Sequence, residues 1–223
     1  MTYNPPKLFI GSIEIYNISG HEMKFSNSVA YRCYKGSGKV TSEFIGWSDL
    51  GTSPFTFSQK NKFTVIGCDD AAFITGNNRL DYTSGCLGLC GKAADVPNGY
   101  CSGNGCCQTS IPKGLKSYNV SLVSFNNHTR VMSFNPCGFA FLGEEESFRF
   151  NGVPDLSNMD LDIKIDRSLP VVVDWVIGGS GDCTQATECK GNSFCQNEET
   201  GGYRCICNEG YQGNPYLDPG CEE

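Results

Sequence analysis

Short runs in which apolar and polar residues alternate recur along the chain, the pattern of strands that bury one face and wet the other. The clearest is Met159-Asp160-Leu161-Asp162-Ile163-Lys164-Ile165-Asp166, apolar at odd positions and charged at even ones, which predicts a half-buried strand. Shorter runs of the same period carry Ile13 and Ile15, Phe55 and Phe57, Phe63 and Val65, Val120 and Leu122, Phe139 and Phe141, Phe148 and Phe150, and Val171, Val173 and Trp175. No comparable stretch shows a long helical period. Many short strands separated by Gly, Asn and Ser predict an all-β fold, β-sandwich-like or barrel-like. Trp47 and Trp175 are read as core, Trp175 because alternation groups it with Val171 and Val173. The longest apolar cluster, residues 171–177, is strand-length, and no run of 18 apolar residues exists to span a bilayer.

Cysteine usage changes this picture most. The 223 residues hold 14 cysteines, an even number and a density foreign to reducing compartments, which predicts an extracellular protein stapled by disulfides. Five of them fall between Cys86 and Cys107, a Gly-, Asn- and Ser-rich segment with few large apolar residues, expected to be an irregular loop pinned by disulfides. Cys106 and Cys107 are adjacent, and a bond between neighbours would close a strained ring, so each is expected to pair elsewhere. The first eight cysteines, Cys33, Cys68, Cys86, Cys90, Cys101, Cys106, Cys107 and Cys137, are otherwise free to pair in any arrangement. Sequons at Asn17, Asn119 and Asn127 agree with secretion and mark glycosylation sites. The opening Met1-Thr2-Tyr3-Asn4-Pro5-Pro6-Lys7 has no secretory signal character, so the true N-terminus is expected to lie outside this sequence.

Gly178-Gly179-Ser180-Gly181 has linker character and divides the chain into residues 1–178 and 179–223. Beyond it the spacing is Cys183-x5-Cys189-x5-Cys195-x9-Cys205-x-Cys207-x13-Cys221, six cysteines in a stretch too short for an unstapled core. With Gly201-Gly202-Tyr203-Arg204-Cys205-Ile206-Cys207 and Gly210-Tyr211-Gln212-Gly213-Asn214-Pro215-Tyr216, this module resembles an epidermal-growth-factor-like (EGF-like) domain. That resemblance implies bonds Cys183 to Cys195, Cys189 to Cys205 and Cys207 to Cys221. Calcium is not expected in this copy, because Asp182 alone precedes Cys183 and one extra residue separates Asn197 from Tyr203 relative to the calcium-binding pattern.

The larger module contains Val65-Ile66-Gly67-Cys68, then Cys86-Leu87-Gly88-Leu89-Cys90, then Gly99-Tyr100-Cys101-Ser102-Gly103-Asn104-Gly105-Cys106-Cys107-Gln108. Asn135-Pro136-Cys137-Gly138-Phe139-Ala140-Phe141 and Pro170-Val171-Val172-Val173-Asp174-Trp175 follow. In this order, ahead of an EGF-like module, they resemble the extracellular region of plant wall-associated receptor kinases, with a galacturonan-binding-type cysteine-rich domain. The family's opening segment is absent, so that domain is N-terminally incomplete. The resemblance implies a wall sensor at the outer face of the plasma membrane, binding acidic pectin or oligogalacturonides. A transmembrane segment and a cytoplasmic Ser/Thr kinase, neither present here, would complete it. An extracellular peptide or co-receptor contacting the EGF-like module and the acidic C-terminal half is the alternative partner, in a receptor or a secreted decoy.

The net charge of −7 argues against an acidic ligand until it is resolved by segment. Residues 1–130 carry 12 Lys+Arg against 8 Asp+Glu, a net +4, while 131–178 carry 3 against 8 and 179–223 carry 2 against 8. Positive potential is thus confined to the first part, where Arg32, Lys35, Lys39, Lys60, Lys62, Arg79, Lys92, Lys113 and Lys116 are the candidate contacts to a polyanionic sugar. Asp69-Asp70 and Glu144-Glu145-Glu146 are read as solvated turns, and His128, inside a sequon, as a surface residue.

No catalytic function is predicted. A glycosidase needs two carboxylates set across a scissile bond at a defined separation, which a sequence does not measure, and the resemblance to a non-catalytic receptor region speaks against one. His21 and His128 are the sole imidazole bases, and no Gly-x-Ser-x-Gly accompanies them. No Cys-x2-Cys pair supports zinc or thioredoxin-like chemistry, and no cofactor is implied. An isoelectric point near 4.9 disfavours nucleic acid.

Overall fold

In a computed structural model, residues 7–10, 13–76, 82–178, 181–199 and 201–223 are described. The larger module is built from β1 (Leu8–Ile10), β2 (Ile13–Ile18), β3 (Glu22–Phe25), β4 (Ala30–Tyr34), β5 (Val40–Phe44), β6 (Trp47–Asp49), β7 (Phe55–Phe57), β8 (Asn61–Ile66), β9 (Asp69–Gly76), β10 (Tyr82–Leu89), β11 (Cys106–Ser110), β12 (Ser117–Ser124), β13 (Cys137–Glu144) and β14 (Val171–Trp175). These form three sheets of antiparallel pairs, ordered β1-β2-β3-β14-β7, β10-β9-β12-β6 and β11-β8-β13-β4-β5.

The third sheet lies between two cores, and β13 shows why. Its side chains alternate across the sheet: Ala140 and Leu142 join Phe63, Val65, Ile74, Tyr118, Val171 and Val173 in one core, while Phe139 and Phe141 join Ile66, Phe150, Leu156, Leu161 and Ile165 in the other. A strand buried on both faces is largely apolar, and all eight residues of β13 are buried, its terminal Glu144 being paired with Lys24. Each fully buried Phe or Leu contributes roughly 1.5–3 kcal/mol of hydrophobic stabilisation.

The second core is closed by two short helices, α1 (Val153–Leu156) and α2 (Leu161–Ser168), and α2 corrects the sequence expectation. Residues 159–166 do not form a strand. Leu161 and Ile165, four apart, share one helical face and are buried, whereas Met159 and Ile163 are exposed. Alternate apolar positions contain an i, i+4 pair as well as a period of two, and here the core is served by that pair with Leu169 one turn further on. Phe148 and Phe150 also lie outside any strand, in a segment following a 3₁₀ turn at Glu145–Ser147, although Phe150 is buried and Phe148 packs edge-on against Phe141.

Four disulfides brace this module: Cys33–Cys137, Cys68–Cys90, Cys86–Cys107 and Cys101–Cys106. Cys106 and Cys107 have different partners. The ends of the 86–107 segment are strand residues of β10 and β11, so the irregular part is confined to the chain between them. Cys86–Cys107 joins two sheets across the first core, and Cys33–Cys137 joins β4 to β13 at paired positions.

The last module has two small hairpins, β15 (Ser193–Asn197) with β16 (Tyr203–Cys207), and β17 (Gln212–Gly213) with β18 (Cys221–Glu222). Its bonds are Cys183–Cys195, Cys189–Cys205 and Cys207–Cys221, the EGF-like order. It is docked on the larger module. Ile177 and Tyr203 exchange backbone hydrogen bonds of 2.9 and 3.0 Å, and Trp175 packs on Tyr216 with ring centroids 5.0 Å apart. Trp175 is therefore a half-buried contact between modules rather than a core residue, and Trp47, 61% exposed, is not core either. Gly179 and Ser180 of the expected linker, like Met1–Pro6, lie outside the described residues.

Candidate functional site

The β4–β5 hairpin turns through Lys35-Gly36-Ser37-Gly38-Lys39, closed by hydrogen bonds from Lys35 N to Lys39 O at 3.1 Å and from Gly38 N to Lys35 O at 2.7 Å. Gly38 has φ of +74° and rests on the loop leading from β12 to β13: a Cβ there would lie 3.0 Å from Thr129 Cγ2 and 3.1 Å from Asn127 Cβ. The contact brings Lys35 and Lys39 to the same end of the sheet as Arg130, which follows Thr129. All three side chains are exposed, and none forms an ion pair with a described residue.

A buried polar network holds the loop under this tip. Asp69 accepts hydrogen bonds from Ser124 Oγ (2.6 Å), Asn126 N (2.7 Å), Asn126 Nδ2 (2.8 Å) and His128 N (3.0 Å). Burial alone would raise its pKa, but these donors stabilise the carboxylate and hold it below the usual range. Asp70 and His128 are both fully buried, with His128 Nε2 2.9 Å from Asp70 Oδ1. His128 Nδ1 lies 2.7 Å from the Asn135 carbonyl, which can only accept, so that nitrogen carries a proton. The Nε2–Oδ1 contact then requires one more proton, shared between ring and carboxyl. Burial raises Asp70, whose Oδ2 has no hydrogen-bond partner among the described residues. Burial works against charge on His128, yet the hydrogen bond and charge of Asp70 outweigh it and raise its pKa. Tyr34 stacks on the imidazole with centroids 4.7 Å apart, and Asn135 ties the network to Cys68 N, Cys137 O and Leu156 O.

Three expectations are corrected here. His128 is not a surface residue, although Asn127 and Thr129 beside it are exposed. Asp69-Asp70 is not a solvated turn but the buried start of β9. Glu144 is likewise buried, paired with Lys24 at 2.6 Å and bonded to Ser147; burial would raise its pKa, but these partners hold it low. Glu145 and Glu146 are exposed.

Most of the remaining candidate cations are engaged by neighbouring groups. Arg32 reaches Glu43, opposite it on β5, at 2.8 Å; Lys60 pairs with Glu22; Lys62 meets Ser110 Oγ at 2.8 Å and Glu145 at 3.5 Å. Lys113 pairs with Glu199 at 3.1 Å and Glu198 at 3.7 Å, and Lys116 donates to Ser53 O at 2.6 Å. Lys60 and Lys113 line a cavity of about 380 Å³ beside the last module, where Asp174 and Glu198 oppose them. Lys92 is exposed ahead of the 3₁₀ turn at Ala93–Asp95, and Arg79 lies outside the described residues. Sequence reasoning passed over Arg130, because nothing in its local sequence tells that Gly38 packs beside Thr129. In the last module the Asn197 carboxamide oxygen is taken by Cys183 N at 2.7 Å, and among the described residues no group of three or more acidic, His or Cys side chains is placed to hold a metal. The three sequon asparagines, Asn17, Asn119 and Asn127, are exposed.

The chain is 40% identical over 222 residues to wall-associated receptor kinase 2 of Arabidopsis thaliana, covering 97% of this chain and 29% of that protein. This chain is homologous to the wall-associated receptor kinases. Wall-associated receptor kinase 3 of the same plant is 36% identical over 234 residues, covering 97% of this chain and 30% of the relative, and wall-associated receptor kinase 5 is 38% identical over 174 residues, covering 75% and 23%. The chain thus spans about 30% of the length of the first two relatives. No family model and no solved structure matches. The described residues form an all-β, disulfide-rich fold, and no helix among them is long and apolar enough to cross a membrane.

Proposed function

We propose that this chain is the wall-sensing, extracellular part of a receptor kinase, and that it binds acidic pectin, as homogalacturonan or oligogalacturonides, at the β4–β5 tip. Lys35, Lys39 and Arg130 supply the attraction, and the EGF-like module serves as a docked spacer. The observation that carries this reading is that these three exposed cations have no acidic partner among the described residues, and that the hairpin turn with Lys35 and Lys39 rests on the loop with Arg130, which buried Asp69, Asp70 and His128 hold. Arg32, Lys60, Lys62 and Lys113 are neutralised by carboxylates and contribute less. Homology to the wall-associated receptor kinases supports a wall polysaccharide as the ligand class.

The test is a calorimetric titration of the secreted protein with methylated and unmethylated oligogalacturonides at low and high salt. Unmethylated oligomers are expected to bind better, with affinity falling as salt screens the contacts. Replacing Lys35, Lys39 and Arg130 together by Ala is expected to weaken binding about tenfold, at roughly 0.5 kcal/mol for each exposed contact. Because Asn127 adjoins the tip, the titration is repeated on Asn127→Gln. Binding indifferent to methylation, salt and the triple substitution would refute the proposal.

A further inference from the structure

The outer face of an antiparallel sheet is ordinarily polar, yet the β10-β9-β12-β6 sheet turns Trp47, Phe73, Leu87 and Val123 to solvent, each at least 39% exposed. Ile45, 65% exposed, precedes β6 and adds to the same border. One polar residue stands against this border. In the pairing of β12 with β6, Asn119 is directly opposite Trp47, and in the pairing with β9 it is opposite Thr75. Directly opposed side chains on one face have Cβ atoms about 4.5–5.5 Å apart, and diagonal neighbours such as Phe73 are about 7–8 Å away. Asn119 opens the sequon Asn119-Val120-Ser121, with Val120 turned into the core and Asn119 and Ser121 outward.

We propose that Asn119 carries an N-linked glycan whose first sugars lie on the Trp47 indole and cover the β12–β6 border of this face. The chemistry is that of a sugar ring on an aromatic plane: the apolar C–H face of N-acetylglucosamine packs on the indole while its hydroxyls stay in water. Attachment at Asn119 delivers that sugar to the ring without the entropy cost of free association. In the strand pairings of the described residues, neither of the other two sequon asparagines is opposite an aromatic residue. Asn17 is registered against Lys24 on β3, and Asn127 sits in a loop with φ of +51° beside Gly38. The glycan on Asn119 is therefore a fixed part of the surface.

The full chain, secreted from a eukaryotic host, is mapped by glycopeptide mass spectrometry and compared before and after enzymatic removal of its N-glycans from the folded protein. Trp175→Phe leaves Trp47 as the single tryptophan, so acrylamide quenching reads its accessibility. Removal of the glycan is expected to about double the quenching constant by freeing one of the two ring faces. The doubling should persist in Asn17→Gln and Asn127→Gln and disappear in Asn119→Gln. If Trp175→Phe does not fold, contacts between Trp47 ring protons and the sugar acetyl group are sought by NMR in the unsubstituted protein. An unmodified Asn119, unchanged quenching after glycan removal, or absent ring-to-acetyl contacts would overturn the proposal.

Discussion

Replacing His128 with Ala removes the side-chain partner of Asp70 Oδ1, on a carboxyl that water does not reach. Both residues are fully buried, 2.9 Å apart, and Asp70 Oδ2 has no hydrogen-bond partner among the described residues to share the load. Breaking a buried pair from one side costs about 3–5 kcal/mol. Loss of the Tyr34 stack adds roughly 0.5–1.5 kcal/mol. The expected penalty is therefore about 3.5–6.5 kcal/mol, against a total stability of about 5–15 kcal/mol for a domain of this kind. Urea unfolding without reductant, followed by near-ultraviolet circular dichroism, measures it. Asp70→Asn, which keeps the shape of the side chain, gives the second arm of a double-mutant cycle. The two single penalties should exceed that of the double variant by about 2 kcal/mol. A His128→Ala penalty below about 1 kcal/mol, or single penalties that add to within about 0.5 kcal/mol, would refute the buried-network reasoning.

Other expectations follow from the same contacts. His128 is raised in the folded state, so its contribution is complete below the ordinary imidazole value of about 6.5 and is lost as pH rises through the raised one. The urea midpoint should fall on the alkaline side, and His128→Asn should flatten that limb. Ala at Gly67 or Gly138 puts a Cβ 1.9 Å from Asp70 Oδ2 or 2.5 Å from Oδ1, and each should cost about 2–3 kcal/mol in the same assay. Replacing both Cys33 and Cys137 by Ala, at a separation of 104, should cost about 4–5 kcal/mol, whereas the Cys101–Cys106 pair, at a separation of 5, should cost about 2. Trp175→Ala should speed hydrogen exchange at the Ile177 and Tyr203 amides while leaving the first core protected, because it removes the Tyr216 contact and not the strand pairing of β14.

How far the sequence could be read depended on whether a residue's neighbours were local. The strands at Ile13, Phe55, Phe63, Val120, Phe139 and Val171 were legible because alternation is a property of the strand itself. At Leu161 and Ile165 the same alternation was ambiguous, and only the second core, built from residues distant in the chain, decides for a helix. His128 was misread because its exposed neighbours Asn127 and Thr129 say nothing of Asp70, which is 58 residues away in sequence. Trp47 was misread because large aromatics are ordinarily core, while its position at the border of a sheet is set by pairing with β12. For the candidate site, Lys35 and Lys39 were visible as a Gly-rich cationic turn, but the carboxylates that neutralise Arg32, Lys60 and Lys113 become visible only once the sheets assemble.

The join at Ile177 and Tyr203 has a mechanical consequence. Tension drawn on Glu223 would run through Cys221 to Cys207 and into β16, because three cross-links leave the last module little slack to pay out. It would reach the larger module at two backbone hydrogen bonds, one pair of rings and the ion pairs of Lys113 with Glu198 and Glu199. At roughly 0.5–1.5 kcal/mol for each hydrogen bond, this seam yields long before either module unravels, so a pull on that end turns one body against the other like a hinge while both keep their shape.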